Sequence, residues 1–282
     1  MSSPDFSNAA LVILGHGTTL DPESAAPVFQ HVAELRRRNL FTEVREAFWK
    51  QEPRVQDVLA SIKAPRVFIV PLFISEGYFS QQAIPRDLGF IKGESFSPLL
   101  KKDSQTLLYC QPVGTHPAMT DVILSRAREV VEKFPFPRPP KPAETTLFVA
   151  GHGTEKNENS RVAIEQQVEA IRSKYLYAAV HGIFLEEEPR VAACYELAQT
   201  KNIIVVPFFI SNGLHVRQDI PVLLGEPERI VKQRLQKAQL TWRNPTERKT
   251  KRLWLSEPVG TSPHVSDIIL QRARQAADWN AK

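Results

Sequence analysis

The chain has 282 residues, of which 42% are hydrophobic and 24% are charged, with a formal net charge of +5. This composition is typical of a soluble globular protein with room for two domains, and no apolar run approaches the ~20 residues that a membrane span requires. Residues 1–5 lack the basic start of a signal peptide, and the two cysteines form no Cys-x-x-Cys cluster. We therefore expect a cytoplasmic protein without a disulfide framework, a zinc ribbon or a cysteine-held iron–sulfur centre.

The first half alternates strand-like runs with helical patterns. Residues 10–14 form an unbroken apolar run that ends at Gly15, as expected of a parallel strand buried on both faces. The pattern then predicts a helix at 22–38, a strand at 43–49, a helix at 53–62, a strand at 67–73, a helix from about 79 that breaks at Pro85, a strand at 106–110 and a helix at 117–133. Four such alternations predict a doubly wound domain around a parallel sheet.

A proline-rich stretch separates this half from a second one with the same plan. Five of the nine residues at 134–142 are proline, which excludes a helix and favours a stiff, extended spacer. The second half predicts strands at 146–150, 178–185, 203–209 and 252–255, and helices at 157–174 and 189–199, a broken helix through Pro221, and a helix at 263–278.

The two halves are copies of one unit. Leu14-Gly15-His16-Gly17-Thr18 recurs as Ala150-Gly151-His152-Gly153-Thr154, an offset of 136 residues (152 − 16) that also carries Glu52-Pro53-Arg54-Val55 onto Glu188-Pro189-Arg190-Val191. After Gly225 the offset becomes 146 (258 − 112), so the second copy has about ten additional residues there. We predict an α/β protein of two duplicated, doubly wound parallel-sheet domains at 1–134 and 145–282, joined by a linker at 135–144.

The additional residues carry many of the cations. Residues 232–251 include two basic runs, for which a solvated helix and loop is the simpler interpretation. Nucleic-acid binding is not supported, because the chain has no recognised motif and no basic tract interleaved with glycine or aromatic residues. A polycarboxylate ligand remains open.

Three residues of the second copy follow successive strands. His152 follows the first strand, Glu186 ends the second, and His215 comes just after the third. Because ligands gather at the carboxyl ends of parallel strands, we expect the three side chains at one edge of the sheet. Two imidazoles and a carboxylate suit a borderline divalent ion such as cobalt, iron or nickel, and imidazole also accepts protons near neutral pH. Glu187 and Glu188 compete for the carboxylate role, but Glu188 matches Glu52, which favours a shared structural task such as capping a helix.

The first copy does not repeat this set. Subtracting 136 places His16, Lys50 and Phe79 at the matching positions. We therefore expect the first copy to be degenerate, serving as a wall or partner face, with function concentrated in the second. The remaining histidines have no counterpart in the other copy and are expected to be structural or at the surface: His31, His116, His181 and His264.

These motifs resemble a known family. Gly-His-Gly-Thr after the first strand, Phe-Leu-Glu before Glu-Pro, and Val-Pro-Phe-Phe-Ile-Ser-Asn-Gly-Leu-His-Val-Arg-Gln-Asp-Ile-Pro at 206–221 are similar to the sirohydrochlorin chelatases, the class II chelatases that insert cobalt or ferrous iron into a tetrapyrrole. The resemblance implies the chelatase fold with an active site in the cleft between two halves. It also implies that His152 and His215 handle metal and protons with Glu186 as acidic partner, that Co²⁺ or Fe²⁺ is a substrate, and that there is no organic cofactor.

The implied partner is a tetrapyrrole that carries carboxylates. Arg217, Arg190, Arg54 and His16 are candidate substrate-binding residues, because guanidinium matches carboxylate in two-point geometry; a surface salt bridge is the alternative for each arginine. We expect no nucleic-acid or membrane partner, and a monomer with two pseudo-symmetric halves or a weak homodimer. Two alternatives are a non-catalytic metal- or tetrapyrrole-binding carrier on the same fold, and a histidine phosphatase. The latter would need Arg-His-Gly where this chain has Gly15 and Gly151 before the histidine.

Overall fold

The computed structural model describes residues 4–18, 21–153 and 159–281. The predictions that concern residues 1–3, Thr154 and the helix start at Asn157 lie outside these residues. Within them, strands and helices alternate along both halves as the sequence predicts.

The first half contains seven strands and four α-helices among the described residues. The strands are β1 (Ala9–Gly15), β2 (Glu43–Phe48), β3 (Arg66–Pro71), β4 (Ile91–Lys92), β5 (Ser95–Phe96), β6 (Leu99–Lys102) and β7 (Gln105–Tyr109). The helices are α1 (Ala26–Arg38), α2 (Val55–Ser61), α3 (Ile84–Asp87) and α4 (Met119–Lys133).

The second half contains five strands and five α-helices within the same described ranges. The strands are β8 (Thr145–Gly151), β9 (Ala179–Phe184), β10 (Asn202–Pro207), β11 (Thr246–Arg248) and β12 (Lys251–Leu255). The helices are α5 (Asn159–Arg172), α6 (Cys194–Leu197), α7 (Ile220–Leu223), α8 (Glu228–Gln236) and α9 (Val265–Ala277).

Each half forms one five-stranded sheet with the same topology. The strand orders are β2-β1-β3-β7-β6 and β9-β8-β10-β12-β11. Four strands of each sheet are parallel, as predicted, and the fifth pairs antiparallel at the edge. The two edge strands, β6 and β11, were not predicted, because they are short and rich in charged residues, as exposed edge strands commonly are.

The central strands supply the core. Every residue of β1 and of β8 is buried, as the unbroken apolar runs predicted. One face of the first sheet packs Val12, Ile69 and Leu107 against α2 and α3, and the second sheet packs Phe148 and Val205 in the same way. Each such side chain contributes about 1.5–3 kcal/mol on burial. Cys110 and Cys194 are buried free thiols.

A π-helix precedes α3 in the first half and α7 in the second. These π-helices span Phe79–Ala83 and His215–Asp219, and each changes to an α-helix at the residue before a proline, Pro85 or Pro221. Proline has no N–H to donate to the preceding turn, so the regular α-helical ladder is interrupted there. The break predicted at both prolines therefore takes the form of a π-to-α transition.

The compact units of the fold do not coincide with the sequence copies. One unit contains residues 1–116 and 263–282, and the other contains residues 117–262. Helix α4 thus belongs to the second unit and α9 to the first, although the predicted boundaries at 134 and 145 assigned each to its own copy. The difference is an exchange of the last helix, which the repeat pattern alone does not reveal.

Buried arginines anchor the exchanged helices. Arg272 of α9 is 4% exposed and donates to the Pro112 carbonyl, to Gln111 Oε1 and to Thr115 Oγ1 at 2.8–3.0 Å. Arg126 of α4 donates to Thr261 Oγ1 at 2.7 Å, in the equivalent turn of the second unit. Each helix is therefore tied to the Pro-Val-Gly-Thr turn of the unit in which it packs.

The proline-rich stretch packs against the second unit. The Trp254 indole N–H donates to the Phe134 carbonyl at 2.8 Å, and the guanidinium of Arg252 lies 4.7 Å from the ring centroid of Phe136. The stretch is therefore held along β12, whereas the sequence predicted an extended spacer between domains. None of the described helices is long and apolar enough to span a membrane.

Candidate functional site

Three loops meet at the carboxyl edge of the second sheet. β9, β8 and β10 are adjacent, so the residues that follow them emerge side by side. The ladder continues past the strand ends, since the Glu186 N–H donates to the His152 carbonyl at 3.0 Å and the Phe208 N–H donates to the Ala150 carbonyl at 2.7 Å. These bonds fix Glu186 beside His152, as the sequence predicted. We call the set His152, Glu186, His215 and Asp219 the second rim.

His152 is oriented by the glycine that follows it. Its Nδ1 lies 2.7 Å from the Gly153 carbonyl oxygen, which can only accept a hydrogen bond. Gly153 has φ +66, and a Cβ there would lie 2.6 Å from Glu187 Cγ and 2.9 Å from Phe184 Cβ. Glycine therefore allows both the left-handed turn and the close approach that present this carbonyl to the ring.

His215 opens the π-helix and faces His152. The two ring centroids are 4.8 Å apart with an interplanar angle of 88°. His215 Nδ1 lies 2.6 Å from Asp219 Oδ2, four residues on. The side chains of His152 and His215 are 38% and 50% exposed, so both can be reached from solvent. The structure thus brings together the two histidines that the sequence singled out.

Both imidazoles use Nδ1 in a hydrogen bond. In His152, Nδ1 must carry the proton, because it donates to the Gly153 carbonyl. In His215, Nδ1 likewise carries the proton and donates to the Asp219 carboxylate. In the neutral imidazole, a proton on Nδ1 leaves a lone pair on Nε2. The second rim therefore offers two Nε2 atoms that can ligate a cation or accept a proton.

Of the three consecutive glutamates, Glu186 is the one beside His152. Its Oε2 lies 3.7 Å from His152 Nδ1, and its side chain is 57% exposed. Glu187 instead pairs with Arg161 at 2.9 Å. Glu188 accepts a hydrogen bond from the Arg190 backbone N–H at 3.0 Å, as Glu52 does from Arg54. Glu188 and Glu52 thus share a structural contact, but it is made to the residue before the helix, and neither helix has the side-chain cap that the sequence suggested.

A cavity of about 300 Å³ opens beside His215. Three carboxylates line it, those of Glu186, Asp219 and Glu228, together with Gln218 and apolar side chains of α7. Glu228 also pairs with Lys232 at 2.5 Å. The three carboxylates share the lining with apolar side chains, and they favour a cation over an anion there.

The second rim is not a complete metal cage. Within the described ranges, no group of three or more His, Cys, Asp or Glu side chains is gathered so as to hold a metal ion. The two imidazoles are close, while Glu186 stands 3.7 Å from the nearer ring nitrogen.

The equivalent edge of the first sheet carries aromatic rings. His16 Nδ1 lies 2.9 Å from the Gly17 carbonyl, and the ring centroid of His16 is 4.8 Å from that of Phe79 and 5.6 Å from that of Trp49. Lys50 Nζ lies 3.9 Å from the centroid of Trp49. Phe79 remains 42% exposed. We call His16, Trp49, Lys50 and Phe79 the first rim; it offers ring faces and one cation.

The three candidate arginines occupy different surroundings. Arg54 donates to the Trp49 carbonyl and lies 3.7 Å from Glu52, and Arg190 donates to the Leu185 carbonyl at 2.5 Å and lies 3.7 Å from Glu188. Both side chains thus brace their own loops. Arg217 lines a separate cavity of about 580 Å³, formed in part by the additional residues of the second copy.

Two residues of the rims escaped sequence reasoning. Asp219 was overlooked although a histidine and a carboxylate four residues apart on a helix are neighbours. Trp49 was overlooked because its match in the second copy, Leu185, is buried and carries no functional group. A check of each rim residue at a spacing of four would have found Asp219.

Comparisons with known proteins agree on one family. A model of the CbiX family matches residues 10–130 and 146–276, one match in each copy. A probable sirohydrochlorin cobaltochelatase of Halobacterium salinarum is 38% identical, over 95% of this chain and 91% of that protein. A sirohydrochlorin cobaltochelatase of Methanocaldococcus jannaschii is 28% identical over 139 residues, which are 42% of this chain but 96% of that protein.

Solved structures share the fold. DR2241 from Deinococcus radiodurans, a multi-domain protein with structural similarity to chelatases, matches with a TM-score of 0.76 and 26% identity over 94% of this chain; this chain spans 54% of its length. SirB from Bacillus subtilis, solved with Fe³⁺, matches with a TM-score of 0.69 and 15% identity over 97% of this chain and 98% of its own. Because the family model matches both copies and most of the residues, the chain belongs to the CbiX family.

Proposed function

We propose that this protein is a chelatase that inserts a divalent metal, cobalt or ferrous iron, into sirohydrochlorin or a related tetrapyrrole. The observation that carries the proposal is the pair of facing imidazoles, 4.8 Å apart, each with Nδ1 in a hydrogen bond and Nε2 left to bind. The names of the relatives support the substrate, and the acidic cavity beside His215 supports the cation.

The metal is held by His152 and His215 through Nε2, with Glu186 as a further oxygen ligand or as a base. Imidazole nitrogens suit cobalt and iron, and a neutral pair binds them without the thiolates that would retain them. A substrate ion must be released to the macrocycle, so an open and solvent-accessible ligand set serves the reaction better than a closed cage.

Insertion also moves protons. A divalent ion replaces two N–H protons of the macrocycle, so two protons leave the ring nitrogens for each ion that enters. Glu186 stands beside His152 and reaches solvent, and we assign it as one proton acceptor. The other acceptor is a rim imidazole, whose Nε2 becomes free when the ion passes to the macrocycle. The carboxylate and the imidazole then pass the protons to water.

The first rim is assigned to the macrocycle. The exposed ring of Phe79 and the partly buried ring of Trp49 beside it can stack on a flat conjugated ring, and Lys50 can pair with a peripheral carboxylate. Arg54 and Arg190 are engaged with their own loops. For carboxylate binding we retain Lys50, which lies beside the ring of Trp49, and Arg217, which lines the cavity of about 580 Å³.

The test is an anaerobic insertion assay with sirohydrochlorin and Co²⁺, Fe²⁺ or Ni²⁺, followed by absorption. We expect insertion faster than the spontaneous reaction, and a loss of at least ~100-fold in His152→Ala and His215→Ala. His16→Ala is the matched control, since it removes the equivalent histidine of the first copy, and it should retain far more activity.

Two results would contradict the proposal. Full activity in the His152→Ala/His215→Ala double variant would remove both histidines from the mechanism. Binding of metal and macrocycle by the unaltered protein without acceleration would leave a carrier on the same fold, not an enzyme.

A further inference from the structure

We infer that Asp219 is a positioning residue, which holds His215 in the Nδ1–H tautomer so that Nε2 is available to the metal. The inference rests on the proposed function in that it takes His215 as a metal ligand. Its structural part, the control of the tautomer by Asp219, can be tested without metal.

The contact between the two side chains is short and charged. His215 Nδ1 and Asp219 Oδ2 are 2.6 Å apart, below the usual 2.9–3.0 Å of an N–H···O bond. A carboxylate that accepts from Nδ1–H fixes the tautomer and the ring orientation, as the hydrogen-bond partners of metal-binding histidines do. Asp219 acts through His215 and is not itself assigned to the metal.

The two rim histidines differ in what holds them. His152 Nδ1 is bound by the Gly153 carbonyl, a backbone group that no substitution removes. His215 lies on the first residue of the π-helix and is bound by the side chain of its last residue. Only the His215 contact is made by a side chain, so it can be removed without a change to the backbone conformation that holds the ring.

The π-helix of the first copy forms without a histidine and a carboxylate at the positions of His215 and Asp219. Its π-helix, Phe79–Ala83, has the same length and the same place in the sheet edge, with phenylalanine at the position of His215 and alanine at that of Asp219. The π-helix therefore forms without a carboxylate at its last residue. Where the imidazole is absent, so is the carboxylate, as expected if the two act together.

The experiment compares Asp219→Ala with Asp219→Asn. Alanine removes the acceptor, whereas the asparagine side-chain oxygen keeps an acceptor and loses only the charge. In metal-free protein at about pH 8, where an ordinary imidazole is neutral, ¹⁵N NMR of the imidazole nitrogens reports the tautomer. Circular dichroism checks that both variants remain folded.

We expect His215 to be protonated at Nδ1 in the unaltered protein and in Asp219→Asn, and to shift toward the Nε2–H tautomer in Asp219→Ala. We expect Co²⁺ affinity to fall about 10–100-fold in Asp219→Ala, with much of it retained in Asp219→Asn. His152 should keep its tautomer in both variants.

The inference is overturned if His215 has the same tautomer in Asp219→Ala as in the unaltered protein. It is also overturned if Asp219→Asn loses as much Co²⁺ affinity as Asp219→Ala, because charge rather than the hydrogen bond would then be responsible. Failure of the unaltered protein to bind Co²⁺ at all would instead count against the proposed function, and it would remove the metal part of the inference while the tautomer result stood by itself.

Discussion

In the first unit the loops after β1, β2 and β3 present His16, Lys50 and Phe79; in the second unit the equivalent loops present His152, Glu186 and His215. The backbones of these loops make the same contacts. The Lys50 N–H donates to the His16 carbonyl at 2.8 Å, and the Glu186 N–H donates to the His152 carbonyl at 3.0 Å.

Even the ring positions correspond. The centroids of His16 and Phe79 are 4.8 Å apart, as are those of His152 and His215. A few side-chain changes on a matching backbone therefore distinguish two imidazoles with carboxylates from ring faces with one cation, and the tasks that we propose for the two rims depend on these changes.

The largest effect is expected from transplanting the second rim. Lys50→Glu/Phe79→His/Ala83→Asp gives the first unit the side chains of Glu186, His215 and Asp219 around His16. Because the backbone already matches, we expect this variant to gain a second Co²⁺ site, measured as a doubled stoichiometry in calorimetric titration.

Phe79→His alone is the control for that variant. It supplies the imidazole without the carboxylate four residues on, so it should bind the added ion more weakly than the triple variant. An unchanged stoichiometry in the triple variant would show that the rims differ in more than these side chains.

A smaller effect is expected when the buried arginines of the exchanged helices are replaced, and its size should differ between the two helices. Arg272→Met removes a buried guanidinium from three acceptors of one turn, whereas Arg126→Met removes one such bond to the turn, together with an ion pair to Glu129. We expect losses of about 3 kcal/mol and about 1 kcal/mol in the free energy of unfolding, measured by urea denaturation. Equal losses would mean that the two turns are not held differently.

The aromatic residues of the first rim should act on macrocycle binding only. Trp49→Ala and Phe79→Ala each remove a ring face, so we expect about tenfold weaker binding of metal-free sirohydrochlorin. Co²⁺ affinity should be unchanged, because the second rim is intact. Binding of the macrocycle is measured by fluorescence quenching for Phe79→Ala and by absorption for Trp49→Ala. A loss of Co²⁺ affinity in either variant would contradict the assignment of the macrocycle to the first rim and the metal to the second.

The smallest effect concerns His116, whose counterpart in the second unit is Ser262. Burial, and then the neighbouring Arg272, lowers the pKa of His116 below its ordinary value of 6.5. Below that value the unfolded chain binds a proton that the folded chain resists, so stability is present above about pH 6.5 and lost as the pH falls. We expect His116→Ser to make the fall in melting temperature between pH 7 and pH 5.5 less steep.

Much of the fold can be predicted from the sequence, because the central strands are unbroken apolar runs and the two copies show the same order of strands and helices. The interruption at Pro85 and Pro221 was predicted from the chemistry of proline, and the structure shows it as a change from π-helix to α-helix. The exchange of α4 and α9 could not be predicted from the sequence. Both copies have the same helical pattern and an arginine at the matching position, so the sequence of a copy does not specify which sheet its last helix covers.

The residues of the two rims likewise include some that the sequence predicts and some that it does not. His152, Glu186 and His215 were found because each directly follows a strand, and adjacent parallel strands end at one edge. Asp219 was missed because its role depends on a side-chain contact within the π-helix. Arg54 and Arg190 were grouped with the substrate because a sequence does not show that a guanidinium folds back onto the carbonyl five residues before it.

The central claim is that the metal binds at the second rim. The most direct measurement is a Co²⁺ titration of protein with ¹⁵N-labelled histidines, in which the paramagnetic ion broadens the imidazole signals nearest to it. The chain has seven histidines. We predict that the signals of His152 and His215 broaden together at the lowest Co²⁺ concentration, while that of His16 persists. Broadening of His16 or of a surface histidine first, with His152 and His215 unaffected, would contradict the account.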